Sequence, residues 1–200
     1  SDDLLEEAVL KEGCSVFRGD VDDIIRRFSD AIATFEFDVV IQADGDDPLS
    51  STECMDITTS TLLADPTIDI VTMSGLPLGC ATKSFTRIAM DKVVASYRTE
   101  RNDTGFIYYF TKSGLCKHLE LENSEPAWKH DTARLTLDYV SDLEVFRTIF
   151  ASLYCPEKVF SLIDTVAFLN ANPELARSNL LVQDEYWART AEKAKLKYIN

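Results

Sequence analysis

Phe37-Asp38-Val39-Val40-Ile41 runs straight into Gln42-Ala43-Asp44-Gly45-Asp46-Asp47-Pro48. The first five residues are short, mostly apolar and β-branched, the composition of a strand buried on both faces. The next seven carry three aspartates, a glycine and a proline, the composition of a turn. A buried strand feeding an acidic Gly-Asp-Pro loop is the pattern of a parallel sheet that holds ligands at its carboxyl edge.

The surroundings agree. Upstream, Ile24, Ile25, Phe28, Ala31, Ile32 and Phe35 lie on one helical face, and Asp20, Asp22 and Asp23 sit at the positive end of its dipole. Before it, Ser15–Phe17 reads as a short strand and Asp3–Glu12 as a helix ending at Gly13. Downstream, Leu49–Ala64 reads as a helix and Thr67–Met73 as a strand. Helix and strand alternate, which predicts an α/β protein with a mainly parallel sheet flanked by helices.

Beyond the loop Gly75-Leu76-Pro77-Leu78-Gly79 the rhythm changes. Ser84–Tyr97 reads as a helix, Arg98–Thr104 is polar, Gly105–Phe110 is aromatic-rich β, and Cys116–Leu121 alternates as a further strand. This stretch, 76–132, is expected to project as a small inserted α+β lobe. The core is then built from 1–75 and 133–182, with Ala133–Asp138 as a strand ending in a carboxylate. Ser141 with Glu144, and Ser161 with Asp164, have the spacing of helix-opening capping boxes. The remainder, 183–200, reads as a C-terminal helix with Trp187, Ala191, Ala194 and Tyr198 on one face.

Composition narrows the function. Two hundred residues suffice for one domain with a real core. The net charge of −14 opposes the phosphates of DNA or RNA, and Lys193, Lys195 and Lys197 read as a solvated helix face, so no nucleic-acid partner is expected. No apolar run reaches the length of a membrane span, so no membrane partner is expected either. The five cysteines are odd in number and lack C-x-x-C spacing, which fits a reducing, cytoplasmic compartment. His118 and His130 have no metal-ligand spacing.

Two acidic loops carry the candidate chemistry. Asp46 follows one expected strand and Asp138 another, and strands of a parallel sheet bring their carboxyl ends to one rim. Magnesium bound to a nucleoside triphosphate needs only one or two protein carboxylates, the rest of its octahedron being water and phosphate. On spacing alone, a turn residue at Asp46 and a helix-flanking cap at Asp138 are the plainer reading.

Five segments in order shift that balance. Gly45-Asp46-Asp47-Pro48-Leu49 resembles the Gly-Asp-x-Pro-Leu loop of the cytidylyltransferase family of CMP-sugar synthetases, and the likeness is nearest to its spore-coat polysaccharide branch. Phe17-Arg18-Gly19 with Asp23 and Arg27-Phe28 resembles that branch's F-R-G…D-x-x-x-R-Y segment. Leu76-Pro77-Leu78-Gly79 resembles its L-P-x-G loop, and Arg134–Asp138 with Asp142-Leu143-Glu144 its R-L-T-V-D-T-P-E-D-L-E. Phe160-Ser161-Leu162 and Asn172-Pro173-Glu174-Leu175 resemble its closing helix and N-P-E-L.

The resemblance implies a Rossmann-like fold of the nucleotide-diphospho-sugar transferase type. It implies transfer of CMP from CTP to an acidic sugar or similar acidic acceptor, for surface polysaccharide or glycan biosynthesis. Asp46 and Asp138 then hold catalytic Mg²⁺, Asp23, Arg27, Asp44 and Gly45 lie at the nucleotide, and Gly79 and Arg134 at the acceptor. For Asp23 with Arg27 an i, i+4 ion pair is an equal alternative, and for Arg134 a structural salt bridge. The resemblance also implies a homodimer through the 76–132 lobe, which the run Phe106, Tyr108, Tyr109, Phe110 suits.

Two departures stand against it. Cys80-Ala81-Thr82-Lys83 replaces an acidic pattern after the L-P-x-G loop, and no Q-A-R-x-x-S-x-R-L-P-x-K phosphate loop occurs. The expectation is therefore that a further segment completes the natural protein, either N-terminal to these residues or supplied by a second polypeptide, and that residues 1–200 alone are inactive. The alternative is a non-catalytic nucleotide- or partner-binding module on the same scaffold.

Overall fold

The computed structural model describes residues 2–97 and 104–193, without the side chains of 104, 192 and 193. The polar stretch from Arg98, and Ala194, Lys195, Lys197 and Tyr198 of the expected C-terminal helix, lie outside the described residues.

Helix α1 (Asp3–Lys11) leads to α2 (Ile24–Phe35). Asp23 opens α2 by accepting from the Arg26 amide at 2.9 Å, so one of the acidic residues before the helix is its cap. Strand β1 (Val39–Gln42) follows, then α3 (Thr52–Ala64) capped by Ser51, and β2 (Ile70–Ser74). Next come β3 (Lys83–Thr86), α4 (Arg87–Ser96), the short α5 (Tyr108–Thr111) and β4 (His118–Glu122). The chain then runs through α6 (Val140–Leu153), α7 (Leu162–Ala171), α8 (Pro173–Arg177) and α9 (Gln183–Lys193).

The four strands form one sheet in the order β1-β3-β2-β4. Strand β3 is antiparallel to both β1 and β2, while β2 and β4 pair in parallel. Three strands therefore run in one direction, as expected, and β3 is the reversed member between two of them. One face packs Ile70 and Phe85 against α2, α4 and α5; the other packs Val71 against Leu62 of α3. A third cluster joins Leu135, Val145, Phe146, Ile149, Val166 and Leu169.

Several expectations are corrected. The 76–132 stretch does not project as a lobe, because it supplies β3 and β4 to the central sheet. Gly105–Phe110 is not β: a 3-10 turn over Thr104–Ile107 runs into α5. Phe106, Tyr109 and Phe110 stand at i, i+3 and i+4, which is a helical face. All three are buried inside the chain rather than offered to a second copy. Ser15–Phe17 forms no strand. Residues 133–138 are extended but touch the L-P-L-G loop through a single parallel bridge, Leu78 to Arg134. The Ser161–Asp164 capping box forms, with Asp164 Oδ2 accepting from the Ser161 amide at 2.9 Å. The other start slips by two residues. Tyr139 occupies the cap of α6, and Asp142, not Glu144, reaches back to its amide at 2.9 Å.

Candidate functional site

Backbone hydrogen bonds stitch three loops together. The Leu135 amide donates to the Leu78 carbonyl at 2.8 Å, the Leu137 amide to the Asp46 carbonyl at 2.7 Å, and the Ser51 amide to the Cys80 carbonyl at 2.9 Å. Gly79 is required at this junction. Its φ is +91°, and a Cβ there would collide with the Leu135 carbonyl oxygen.

Between these loops lies a cleft of about 530 Å³ lined by Asp44, Asp46, Asp47, Gly79, Lys83 and Asp138, with Tyr108 and Arg189 on its other walls. The expected Asp46 and Asp138 thus reach one cleft, together with Asp44 and Gly79. Gly45 lies between Asp44 and Asp46, where an added Cβ meets no atom within 4 Å.

The carboxylates have different partners. Burial works to raise the Asp44 carboxyl. Lys83 at 2.8 Å and Gln42 at 2.5 Å outweigh it and hold the group below its ordinary range. Asp47 has no such cation against it. Burial, with the charges of Asp46 and Asp44 added, pushes it up to about 7 against the opposing pull of the nearby Thr136 hydroxyl and the Lys83 charge. The Thr136 hydroxyl itself donates to Asp138 Oδ2 at 3.3 Å. Among the described residues no ion pair includes Asp46. Asp138 is held twice: Oδ2 accepts from Arg134 Nη2 at 2.8 Å and Oδ1 from Arg189 Nη2 at 2.5 Å.

Arg134 does not line the cleft. Its side chain is 1% exposed and bound to Asp142 at 3.0 Å through Nε. The Tyr186 ring lies 4.4 Å from its guanidinium carbon, and Asn179 donates to both Asp142 Oδ1 and the Arg134 carbonyl. It is the buried support beneath Asp138. Asp23 and Arg27 also lie off the cleft. Asp23 caps α2 and accepts from the Tyr97 hydroxyl at 2.5 Å, while Arg27 donates to the Asp20 carbonyl at 3.1 Å. The i, i+4 ion pair of this helix is Arg26 with Asp30. His118 pairs with Thr72, and His130 accepts from the amides of Thr132 and Ala133. All five cysteines are free. Among the described residues no helix is long and apolar enough to cross a membrane.

No protein-family model matches the chain. The uncharacterized protein MJ1063 of Methanocaldococcus jannaschii is 27% identical over 197 residues, which is 96% of this chain and 77% of that protein. The spore coat polysaccharide biosynthesis protein SpsF of Bacillus subtilis is 25% identical over 178 residues, 88% of this chain and 73% of its own. A solved cytidylyltransferase from Leptospira borgpetersenii serovar Hardjo-bovis matches the fold with a TM-score of 0.78. It is 27% identical, and the match covers 89% of this chain and 74% of that one. This chain is a relative of the cytidylyltransferases.

On a cytidylyltransferase scaffold, the resemblance implies Mg²⁺ at Asp46 and Asp138, and the donor set fits a hard cation. Only carboxylate oxygens are offered, and a positive charge, that of Arg189, already stands on Asp138 Oδ1. Among the described residues no three His, Cys, Asp or Glu side chains converge on one point. An ion here would draw the rest of its octahedron from water and phosphate.

Sequence reasoning passed over Asp47, Lys83, Tyr108 and Arg189. Asp47 was visible as the variable position of the Gly-Asp-x-Pro-Leu loop. Arg189 carried no signal, because its helix was read by its apolar face alone.

Proposed function

We propose that this cleft binds CTP and transfers CMP to an acidic acceptor. An acceptor oxygen attacks the α-phosphorus as the bond to the β-phosphate breaks, and pyrophosphate leaves. The observation that carries this reading is the convergence of Asp46 and Asp138 on one cleft, their loops tied by the Leu137–Asp46 hydrogen bond. Asp46 and Asp138 would hold Mg²⁺, which when bound shields the α-phosphate and steadies the leaving group. Asp44 fixes Lys83, whose ammonium offers positive charge at the rim to an anionic ligand. Gly79 and Tyr108 shape the neighbouring wall. Positioning and charge neutralisation are most of what phosphoryl-type transfer asks of a protein. The spore-coat polysaccharide role of one relative supports a product used in surface polysaccharide or glycan synthesis.

A second reading, a nucleotide-binding module without turnover, is favoured by one observation: both oxygens of Asp138 are taken by arginines. Calorimetric titration with CTP and Mg²⁺, paired with a pyrophosphate assay over a panel of acidic sugars, separates the two. Release supports the enzyme, whereas binding without release supports the module. In the active case Asp46→Asn lowers turnover at least about a hundredfold, since a bound cation is worth several kcal/mol in such transition states. Unchanged turnover in both Asp46→Asn and Asp138→Asn would refute the metal assignment.

A further inference from the structure

We propose that Arg189 is the chain's own counter-cation at the metal position on Asp138, and that it holds α9 across the cleft until a divalent cation displaces it. The inference rests on the cation assignment above and adds a residue and an element to it.

The two oxygens of Asp138 are held differently. Oδ2 faces Arg134, whose guanidinium is 1% exposed and locked by Asp142. Oδ1 is the oxygen left for a ligand, and Arg189 occupies it at 2.5 Å from a side chain that is 42% exposed. The carboxylate is fixed from below, so the partner free to leave is Arg189. The rings of Tyr139 and Tyr186 each lie 5.6 Å from its guanidinium carbon, near the outer limit of a cation–π contact, which is weak for an exposed cation.

Helix α9 is built to shift. None of its side chains described is buried, and Tyr186, Trp187, Arg189 and Thr190 all line the cleft that Asp46 lines. Its hold on the core runs through the cleft wall, with Tyr186 on the Arg134 guanidinium and Arg189 on Asp138. A single arginine–carboxylate pair whose arginine is 42% exposed is partly screened by solvent, whereas a divalent ion shared between two carboxylates holds both more strongly. A cation binding at Asp46 and Asp138 displaces Arg189 from Oδ1, and the guanidinium is then free to meet the phosphates that arrive with the ion.

Mn²⁺, followed by its paramagnetic signal with the full chain and no nucleotide, tests this. Arg189→Gln is expected to bind Mn²⁺ about fivefold more tightly than wild type, the upper end for loss of an exposed competing pair. Arg189→Lys, which keeps a cation with a different reach, stays near wild type. Saturating Mn²⁺ also raises acrylamide quenching of Trp187 in a Trp128→Phe background, a readout of α9 independent of activity and of any Arg189 variant. Equal or weaker Mn²⁺ binding in Arg189→Gln overturns the inference and leaves the cation site standing. Quenching that Mn²⁺ does not change refutes the displacement of α9. No Mn²⁺ binding in any of these proteins overturns the cation assignment and this inference with it.

Discussion

The two sides of Asp138 use the same residue types for opposite ends. Beneath it, Arg134, Asp142 and Asn179 form a network in which the carboxylate of Asp142 accepts from a guanidinium, an amide side chain and the backbone amides of Asp138 and Tyr139. Above it, Lys83 pairs with Asp44 and acts on Asp47 only weakly through its charge, and among the described residues no ion pair includes Asp46. The first set pairs its charges and is closed to water, although Arg134 Nη1 and Asn179 Oδ1 are buried without a hydrogen-bond partner. The second carries surplus negative charge and opens on a cleft, the arrangement expected where a cationic or metal-bound ligand supplies the balance.

The largest effect should come from breaking the matched side. Asp142→Ala leaves the Arg134 guanidinium buried with its main partner removed, which typically costs about 3–5 kcal/mol. That is much of the stability of an ordinary domain, about 5–15 kcal/mol. Chemical denaturation should show a large drop in midpoint for Asp142→Ala. Asp46→Asn, whose main effect is on turnover, should hold its midpoint. Equal loss of stability in both would erase the distinction between support and site.

Acid should treat the two sides oppositely. The folded chain keeps a proton on Asp47 up to about 7, whereas an unfolded aspartate releases it near ~3.9. Between those values the folded state binds more protons, so stability falls as pH rises through that window. Asp142 is depressed below its ordinary range; burial opposes this, and Arg134 with the Tyr139 and Asp138 amides overcomes it. Its contribution is present above ~3.9 and is lost as pH falls through the folded value. Tm should therefore peak on the acid side of neutrality. Asp47→Asn should flatten the limb between about pH 4 and pH 7 and leave the acid limb intact. A wild-type Tm that stays level from mildly acidic pH to neutrality would show that Asp47 ionises freely.

The same contrast explains what was legible. Val39–Ile41 and the acidic loop stood out because a β-branched run and a Gly-Asp-Pro turn are local signals. The Ser161–Asp164 cap is local too. Strand β3 was hidden because Lys83-Ser84-Phe85-Thr86 has little strand character of its own. It is extended because β1 and β2 pair with it on both sides. The aromatics of 106–110 were counted with the period of a strand, whereas burial follows the helical spacing. Asp46 and Asp138 were found by motif, but the burial of Arg134 depends on Asp142 and Asn179, which no spacing rule links. Arg189 reaches Asp138 across 51 positions, a contact that only the packed chain reveals.

The smallest expected effect concerns Asp23 and Arg27, which the resemblance places at the nucleotide and the structure places at the start of α2. Asp23 is 8% exposed, and its carboxylate accepts from the Arg26 amide and the Tyr97 hydroxyl. Replacing an N-cap aspartate by alanine costs about 1 kcal/mol. Asp23→Ala should therefore lower the denaturation midpoint modestly and leave calorimetric CTP affinity within about twofold of wild type, a difference of only a few tenths of a kcal/mol. Arg27→Ala, which removes a hydrogen bond to the Asp20 carbonyl at an exposed position, should move neither measurement appreciably. Lys83→Ala sharpens the contrast, since it strips the rim of its ammonium and should weaken CTP binding more than it weakens the fold. If Asp23→Ala or Arg27→Ala instead lost CTP affinity as strongly as Lys83→Ala, the nucleotide would have to reach the start of α2. The ligand site would then be larger than the cleft between the three loops.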